Sequence, residues 1–448
     1  MGGSSYLDTA RRVVEQARKM GAEQVEAFFS YGRELSIEVV NQEVETMKMA
    51  EDRGLGVRVI RAGRLGFAFS SDLEPPALDR VVEQALAISR QTAQDEFNSL
   101  PRPFGSYAKM DIFDPQIEEA NVEEKIALAK KMEKAGRGAD SRVKITERAA
   151  YQDSDYRVVV ANSEGIEASY QGAYCGIYLD LVAQDGDDNQ TGFSVQYSLK
   201  YRDLSPEKVG REAAEKAVRM LGAKKINTRK MPVVLDPYIA TNFLGVIAPA
   251  LTAEAKQKGR SLFADKAGQK VASDKVTVID DGVMPGGLMS SPFDGEGVPT
   301  GKTVLIQDGR LLGFLYNTYT AAKDNVASTG NGSRGSFKST PDVGTTNFYL
   351  KPGTVSRDQL LGGIKDGLYV TEVMGMHTAN PISGDFSLGA AGLRIENGKL
   401  TVPVRGVAIA GNIIDLLESI DEVADDLTFF VGKGAPTVRI ARMTVSGS

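Results

Sequence analysis

The sequence has very few of the residues on which many enzymes depend. Its 448 residues include one histidine, His377, one cysteine, Cys175, and no tryptophan. General bases, catalytic triads and zinc sites use histidine more than any other residue, so such a mechanism would have one histidine at most. A single cysteine excludes a disulfide framework within the chain, which is typical of cytoplasmic proteins.

Long apolar segments are also absent. No apolar run approaches the ~20 residues that span a bilayer, and the segment after Met1 has no apolar core like that of a signal peptide. We therefore expect a cytoplasmic protein that makes no contact with membranes.

Positive charge is neither abundant nor concentrated. The net charge is -6, and the basic residues are scattered, with no run longer than Lys130-Lys131 or Lys224-Lys225. Nucleic-acid binding requires a concentrated basic face that releases counterions. The sequence therefore predicts no nucleic-acid partner.

What is present is a mixture of helical and strand patterns that predicts an α+β fold. We divide the chain into two mixed helix and strand domains, residues 1–110 and 111–225, followed by a larger, mainly β domain, residues 226–448. The length allows about three domains. A segment rich in proline and poor in periodicity, residues 98–120, connects the first two.

Strand patterns dominate the first domain. Apolar and β-branched residues predict four short strands, Val25–Tyr31, Leu35–Val40, Val44–Met49 and Gly56–Ile60. A turn then leads into a fifth, Leu65–Phe69, before the second helix.

The third domain begins with a predicted helix and continues with hairpins. Asp236-Pro237 opens an Ala- and Leu-rich helix that we expect to reach about Lys258. Asp308-Gly309 and Asn397-Gly398 each stand between two strand-like segments, and these dipeptides supply the positive φ of tight hairpin turns.

One glycine-rich segment matches a nucleotide-binding pattern by its letters. Gly330, Gly332 and Gly335 have G-x-G-x-x-G spacing. A dinucleotide site needs a strand before this segment and a helix after it. The residues that follow include Pro341 and Gly344 and have no helical period. We interpret the segment as a glycine loop whose backbone lies near a groove.

Other residues could carry chemistry but lack partners in the sequence. Asp280-Asp281 and Asp294-Gly295-Glu296 could act as acid and base or hold Mg²⁺ or Ca²⁺, or they could be a turn and an acidic loop. His377 has no second histidine nearby and could be structural or exposed. No base adjoins Cys175, which we interpret as a packed thiol.

The third domain resembles the TldD/PmbA family over about 200 residues. Several blocks carry the resemblance in the same order along the chain. They are Ser290–Gly297 (SSPFDGEG), Tyr319–Lys323 (YTAAK), Ser328–Gly330, Val370–Gly375 (VTEVMG), Ser383–Ser387 (SGDFS), Gly389–Gly392, Ile395–Gly398 and Ile409–Asn412.

The resemblance implies peptide cleavage, and the departures from the family pattern concern its zinc. TldD-type members carry H-E-x-x-x-H on a helix and a cysteine near the C-terminus, which bind zinc and supply a general base. Here the motif falls on Leu244, Gly245 and Pro249, and no cysteine lies near the C-terminus. We therefore expect no cofactor in this chain, with zinc only in a TldD-type partner.

The PmbA/TldE branch lacks the motif in the same way, and it pairs with a TldD subunit. The resemblance thus implies a non-catalytic subunit of a TldD-type zinc metallopeptidase that acts on unfolded peptides, as a heterodimer or a homodimer. Two alternatives remain: a stand-alone peptide-binding scaffold, or a peptidase or hydrolase with a non-zinc mechanism. The candidates for a peptide groove are Asp294, Glu296, Gly330, Asn331, Arg334 and His377.

Overall fold

Alternating apolar residues and tight turns give this chain more strand than helix. The computed structural model describes residues 3–447, which form ten α-helices, three 3₁₀-helices and twenty strands. The α-helices are α1 (Gly3–Lys19), α2 (Pro75–Ser89), α3 (Pro115–Glu119), α4 (Val122–Arg137), α5 (Pro206–Val218), α6 (Pro237–Ile247), α7 (Ala253–Gln257), α8 (Thr318–Asp324), α9 (Arg357–Gly362) and α10 (Ile413–Glu418). The 3₁₀-helices are Tyr201–Asp203, Ala248–Leu251 and Met376–Thr378.

The strands fall into an N-terminal group and a C-terminal group. The N-terminal strands are β1 (Gln24–Val40), β2 (Glu43–Arg61), β3 (Arg64–Ser70), β4 (Val143–Asn162), β5 (Glu167–Asp185) and β6 (Asp188–Ser198). The C-terminal strands are β7 (Arg229–Leu235), β8 (Val278–Asp281), β9 (Lys302–Gln307), β10 (Arg310–Leu311), β11 (Gly332–Ser333), β12 (Asp342–Val343), β13 (Phe348–Leu350), β14 (Asp366–Met374), β15 (Asp385–Glu396), β16 (Lys399–Asn412), β17 (Ile420–Val423), β18 (Thr428–Phe430), β19 (Lys433–Ala435) and β20 (Val438–Ser446). The expected α+β class is confirmed.

One antiparallel sheet runs through the N-terminal half of the chain. Its strand order is β3-β2-β1-β4-β5-β6. The first three strands precede residue 110 and the last three follow it, and β1 pairs with β4 from Glu26 opposite Asn162 to Val39 opposite Ala149. The two N-terminal segments therefore share a backbone ladder as well as side-chain contacts.

The four short strands that we expected are in fact two long ones. Gly32 and Glu34 of β1 pair with residues of β2, and Arg53 of β2 pairs with a residue of β1. Each strand therefore continues through these residues without interruption. The only reversal between β1 and β2 is at Asn41 and Gln42, which both have positive φ, 53° and 64°. The polar residues in the middle of β1 resemble a turn in the sequence, but in the structure they pair with β2 on one side and with β4 on the other.

One face of this sheet carries the helices. The odd-numbered apolar residues of β1 point to this face, since side chains alternate along a strand. Those near its start, such as Phe29, are buried with α1 and α2, and those near its end, such as Ile37, are buried with α4. The opposite face is left for the C-terminal half. There, Phe28 and Val160 pack against Phe293 and Phe337.

The C-terminal half contains two six-stranded sheets. Their orders are β10-β9-β8-β13-β19-β18 and β16-β15-β14-β7-β20-β17, and an additional pairing between β16 and β20 closes the second into a barrel. Both hairpins expected from Asx-Gly turns are confirmed. Asp308-Gly309 joins β9 to β10 and Asn397-Gly398 joins β15 to β16, all four residues having positive φ.

The helix that we expected to reach about Lys258 is shorter. Helix α6 ends at Ile247, the 3₁₀-helix Ala248–Leu251 follows, and α7 begins at Ala253. Pro249 is the physical reason, because proline lacks the N–H that an α-helix interior requires and clashes with the preceding turn. No helix among residues 3–447 is both long and apolar enough to cross a bilayer.

Candidate functional site

Two loops of the C-terminal half contact each other where they meet the N-terminal sheet: the acidic loop, residues 294–297, and the glycine loop, residues 330–335. The Gly295 N–H donates to the Gly332 carbonyl at 2.6 Å. The Gly332 N–H in turn donates to Asp294 Oδ2 at 2.7 Å. A Cβ atom added to Gly332 would lie 2.8 Å from that same oxygen. The glycine is thus required by the close approach of the two loops.

The surroundings of the glycine loop do not form a dinucleotide site. The loop contains β11, which pairs with β12 as a short antiparallel ribbon. No helix begins at the loop, whereas a dinucleotide site needs a helix directly after the glycines, whose N-terminus faces the pyrophosphate.

A buried cluster of four charges lies behind the loops and joins them to the N-terminal sheet. Arg58 Nη2 contacts Glu26 Oε2 at 2.7 Å and Glu296 Oε1 at 3.1 Å. Arg334 also pairs with Glu26. All four side chains are at most 5% exposed. We call Glu26, Arg58, Glu296 and Arg334 the charge cluster.

Burial and charge act in opposite directions on the pKa values in the cluster. Burial would raise the pKa of Glu26, but Arg334 and Arg58 together lower it below its ordinary value. Burial lowers the pKa of Arg334, whereas the pKa of Arg58 is raised despite its burial, because Glu26 and Glu296 adjoin it. The cluster is therefore two cations and two carboxylates joined by three ion pairs, in which Arg58 and Glu26 each take part twice.

The two acidic-loop carboxylates are engaged within the protein. Glu296 is fully buried, and its second oxygen accepts the Thr318 N–H at 2.8 Å. Asp294 accepts backbone N–H groups of Glu296, Val298 and Gly332. Burial and then the charge of Glu296 raise the pKa of Asp294. Both carboxylates were predicted to belong to a peptide groove, and in the structure their oxygens accept hydrogen bonds that hold the loops in place.

A cavity of about 360 Å³ opens on the outer side of the glycine loop. Gly330, Asn331 and Arg334 line it together with Asp294. Five rings form much of the remaining wall: Phe28, Tyr156, Tyr170, Tyr174 and Phe293. We call this space the aromatic cavity. It brings together four of the six expected groove residues.

A second cavity, of about 550 Å³, lies beside the end of α6. Gly245 and Pro249 line it, whereas Leu244 is buried in the core of the C-terminal half. Three cationic residues, Lys258, Arg260 and Lys433, reach this space. We call it the basic cavity. Gly344 and Thr345 line both cavities, so the two cavities adjoin at this segment, and we call them together the cleft.

Comparison with known proteins places this architecture in a family. Three models match successive parts of the chain: PmbA/TldA metallopeptidase domain 1 at residues 25–89, the central domain at residues 115–221 and the C-terminal domain at residues 228–447. The chain belongs to the PmbA/TldD family.

PmbA/TldD relatives match over nearly the whole chain. The metalloprotease PmbA of Escherichia coli O157:H7 is 30% identical, over 99% of this chain and 98% of its own length. A metalloprotease TldD homologue from Haemophilus influenzae is 28% identical, over 89% of this chain and 87% of its own length. The two names show that the chain is similar to both PmbA and TldD proteins.

Two solved structures have the same fold. A candidate modulator of DNA gyrase from Thermotoga maritima has a TM-score of 0.91 and 30% identity, over 98% of this chain and 100% of its own. TldE from Thermococcus kodakarensis has a TM-score of 0.91 and 25% identity, with the same coverage.

The zinc of the PmbA/TldD metallopeptidases does not fit the residues present here. Leu244, Gly245 and Pro249, on which the resemblance places the motif, carry no side-chain donor atom for a metal. Within residues 3–447 no group of three or more His, Cys, Asp or Glu side chains could hold a metal ion. His377 is exposed on the 3₁₀-helix Met376–Thr378 and lines neither cavity.

Sequence reasoning missed several residues of the charge cluster and of the cleft. Arg58 and Glu26 were not singled out, although they are direct cross-strand partners of opposite charge in β1 and β2. In the sequence they alternate with apolar residues, which is also the pattern of residues on the solvent-exposed face of a sheet. Lys433 begins the three-residue strand β19 and Thr345 lies outside the helices and strands, and no sequence signal marks either as a cavity residue.

Proposed function

We propose that this chain is the non-catalytic, TldE-like subunit of a TldD-type zinc metallopeptidase that acts on unfolded peptides in the cytoplasm. In this proposal the chain carries no zinc, and a TldD-type partner supplies the metal and the general base. The family membership supports a role in proteolysis.

The basic cavity is the observation that carries the proposal. Gly245 and Pro249, which stand where TldD-type members have zinc-site residues, form part of its wall. A cavity of about 550 Å³ thus adjoins the helix on which the resemblance places the family's motif, and its lining contains neither histidine nor cysteine. A chain that retains this cavity but lacks the histidines that bind zinc is better suited to binding and regulation than to hydrolysis.

The shape of the cleft favours an extended peptide. Its two cavities meet at Thr345, whose backbone makes no hydrogen bond within the described part of the chain and is partly exposed. Free backbone groups beside a groove can pair with an extended ligand, as in recognition by strand addition. A stand-alone peptide-binding scaffold would use the same cleft, and the presence of a TldD-type partner distinguishes the two functions.

The decisive experiment measures metal and cleavage for the separate and the mixed subunits. Untagged chain alone should contain no stoichiometric zinc and cleave no unfolded peptide above background, because a catalytic zinc site needs about three protein ligands. Addition of a TldD-type subunit should give a larger species by light scattering and chelator-sensitive cleavage. Changing the partner's motif Glu to Gln should abolish that cleavage.

Two outcomes would contradict the proposal. One zinc per chain with chelator-sensitive cleavage by this chain alone would show an active enzyme. Failure to associate with a TldD-type subunit, or to change its cleavage rate, would favour the stand-alone scaffold.

A further inference from the structure

The basic cavity has an excess of positive charge that the protein does not neutralise. Lys258 pairs with Glu254, which also lines the cavity. Arg260 and Lys433 make no ion pair with any residue in the described range 3–447. Two uncompensated cations therefore face one cavity of a protein whose net charge is -6.

Lys433 is placed at the wall of this cavity rather than on an open surface. It is partly buried, and a Cβ atom added to Gly245 would lie 3.7 Å from its Cε atom. The stem of Lys433 therefore packs beside the α6 position where TldD-type members carry the motif Glu. A cation stands next to the place where those members carry an acid.

Much of the remaining wall is apolar and fits a side chain better than a hydrated ion. Ala248, Pro249, Val343 and Ile382 line the same space as the cations. An anionic group attached to an apolar side chain would satisfy both features, since polar contacts at a few points fix orientation in an otherwise apolar pocket. A free phosphate or sulfate would leave the apolar wall uncovered.

We infer that the basic cavity binds the C-terminal carboxylate of an extended peptide, with Lys433 and Arg260 as its cationic partners. The peptide's last side chain contacts the apolar wall. Its backbone passes Thr345, and its preceding residues reach the aromatic cavity. This inference rests on the proposed function, because it takes the ligand to be a peptide, and it adds a direction of binding and a requirement for a free C-terminus.

The test compares three forms of one fluorescently labelled hexapeptide by anisotropy with the full chain. They are the free acid, the C-terminal amide, and an amide whose last residue is Asp. The free acid should bind about tenfold or more tightly than the plain amide, because a charged hydrogen-bond partner is lost on amidation. The Asp amide should bind as weakly as the plain amide.

Variants assign the effect to the cavity. Lys433→Met should weaken binding of the free acid by about tenfold and leave the amide unchanged. Lys399→Met is the matched control. Lys399 is exposed in the hairpin at Asn397-Gly398 and lines neither cavity, so both affinities should stay as in the unchanged chain.

Several results would overturn the inference. They are equal affinity for free acid and amide, no measurable binding of either, or tight binding of the Asp amide, which would show recognition of any carboxylate. None of these results alters cleavage by the mixture with a TldD-type subunit, so the proposed function is tested separately.

Discussion

Replacement of Arg58 by Met should destabilise the protein more than any loss of a surface ion pair. Arg58 contacts both Glu26 and Glu296 and is 5% exposed, whereas the two carboxylates are fully buried. Without Arg58, Glu296 keeps only a hydrogen bond from the Thr318 N–H, and Glu26 keeps only Arg334. Breaking a buried ion pair from one side costs about 3–5 kcal/mol, because a charge stays buried without its partner.

The matched control is Lys338→Met. Lys338 also links the C-terminal half to β2, through an ion pair with Asp52 at 2.8 Å, but the two side chains are 48% and 53% exposed. Exposed pairs contribute about 0–1 kcal/mol, since water and salt screen them. Both substitutions remove one cation from the same interface, so their difference isolates the effect of burial.

The loss of folding stability caused by Arg58→Met should also become smaller as the pH falls. Arg334 and Arg58 keep the pKa of Glu26 in the folded protein below its unfolded value despite burial. This contribution is fully present above the unfolded pKa of about 4.3 and is lost as the pH falls through the lowered folded pKa. In the variant, protonation relieves the buried charge, so the difference in stability should shrink in acid.

The assay is urea denaturation of both variants at neutral pH and in mild acid, with hydrogen exchange measured at β2 and at the glycine loop. We expect faster exchange at both places in Arg58→Met, because the charge cluster joins them. A loss below about 1 kcal/mol, or a loss that does not change with pH, would refute the reasoning.

Two further predictions concern close packing and the single thiol. Gly66→Ala should destabilise by about 1–3 kcal/mol in thermal unfolding, because the added Cβ would lie 1.9 Å from the Ala85 carbonyl oxygen of α2. Gly32→Ala, where no atom lies within 4 Å, should change stability little, and equal effects would contradict this explanation. Burial and the nearby charge of Asp153 raise the pKa of Cys175 to about 12. The native thiol should therefore resist iodoacetamide near neutral pH and react after unfolding, and rapid alkylation of the native protein would show that the site is open.

Local features of the fold could be predicted, and those that depend on distant partners could not. The hairpins at Asp308-Gly309 and Asn397-Gly398 are encoded by two residues each, whose positive φ is a local preference. By contrast, the continuity of β1 through Gly32 depends on pairing with β4, more than 100 residues away. Pro249 marked the break in the helix, but its effect was underestimated.

The same distinction between local features and features that depend on distant partners applies to the candidate site. The glycine loop and the acidic loop stood out by composition, and the structure brings them into contact. The roles of Asp294 and Glu296 could not be read from the sequence, because only the buried partner Arg58, on β2, shows that Glu296 is engaged. Lys433 comes from β19 and meets α6 only in the folded chain.

The ladder between β1 and β4 has a consequence for how the chain could be divided. The peptide segment between α2 and α3 has little regular structure. The strands on either side of it, β1 and β4, nevertheless pair with each other from Glu26 to Val39 of β1. A cut in that segment would leave the ladder intact. Each fragment made separately would expose a long unpaired strand edge, which is prone to pair with any strand it meets. The two fragments should therefore be made together, each serving as the template on which the other folds.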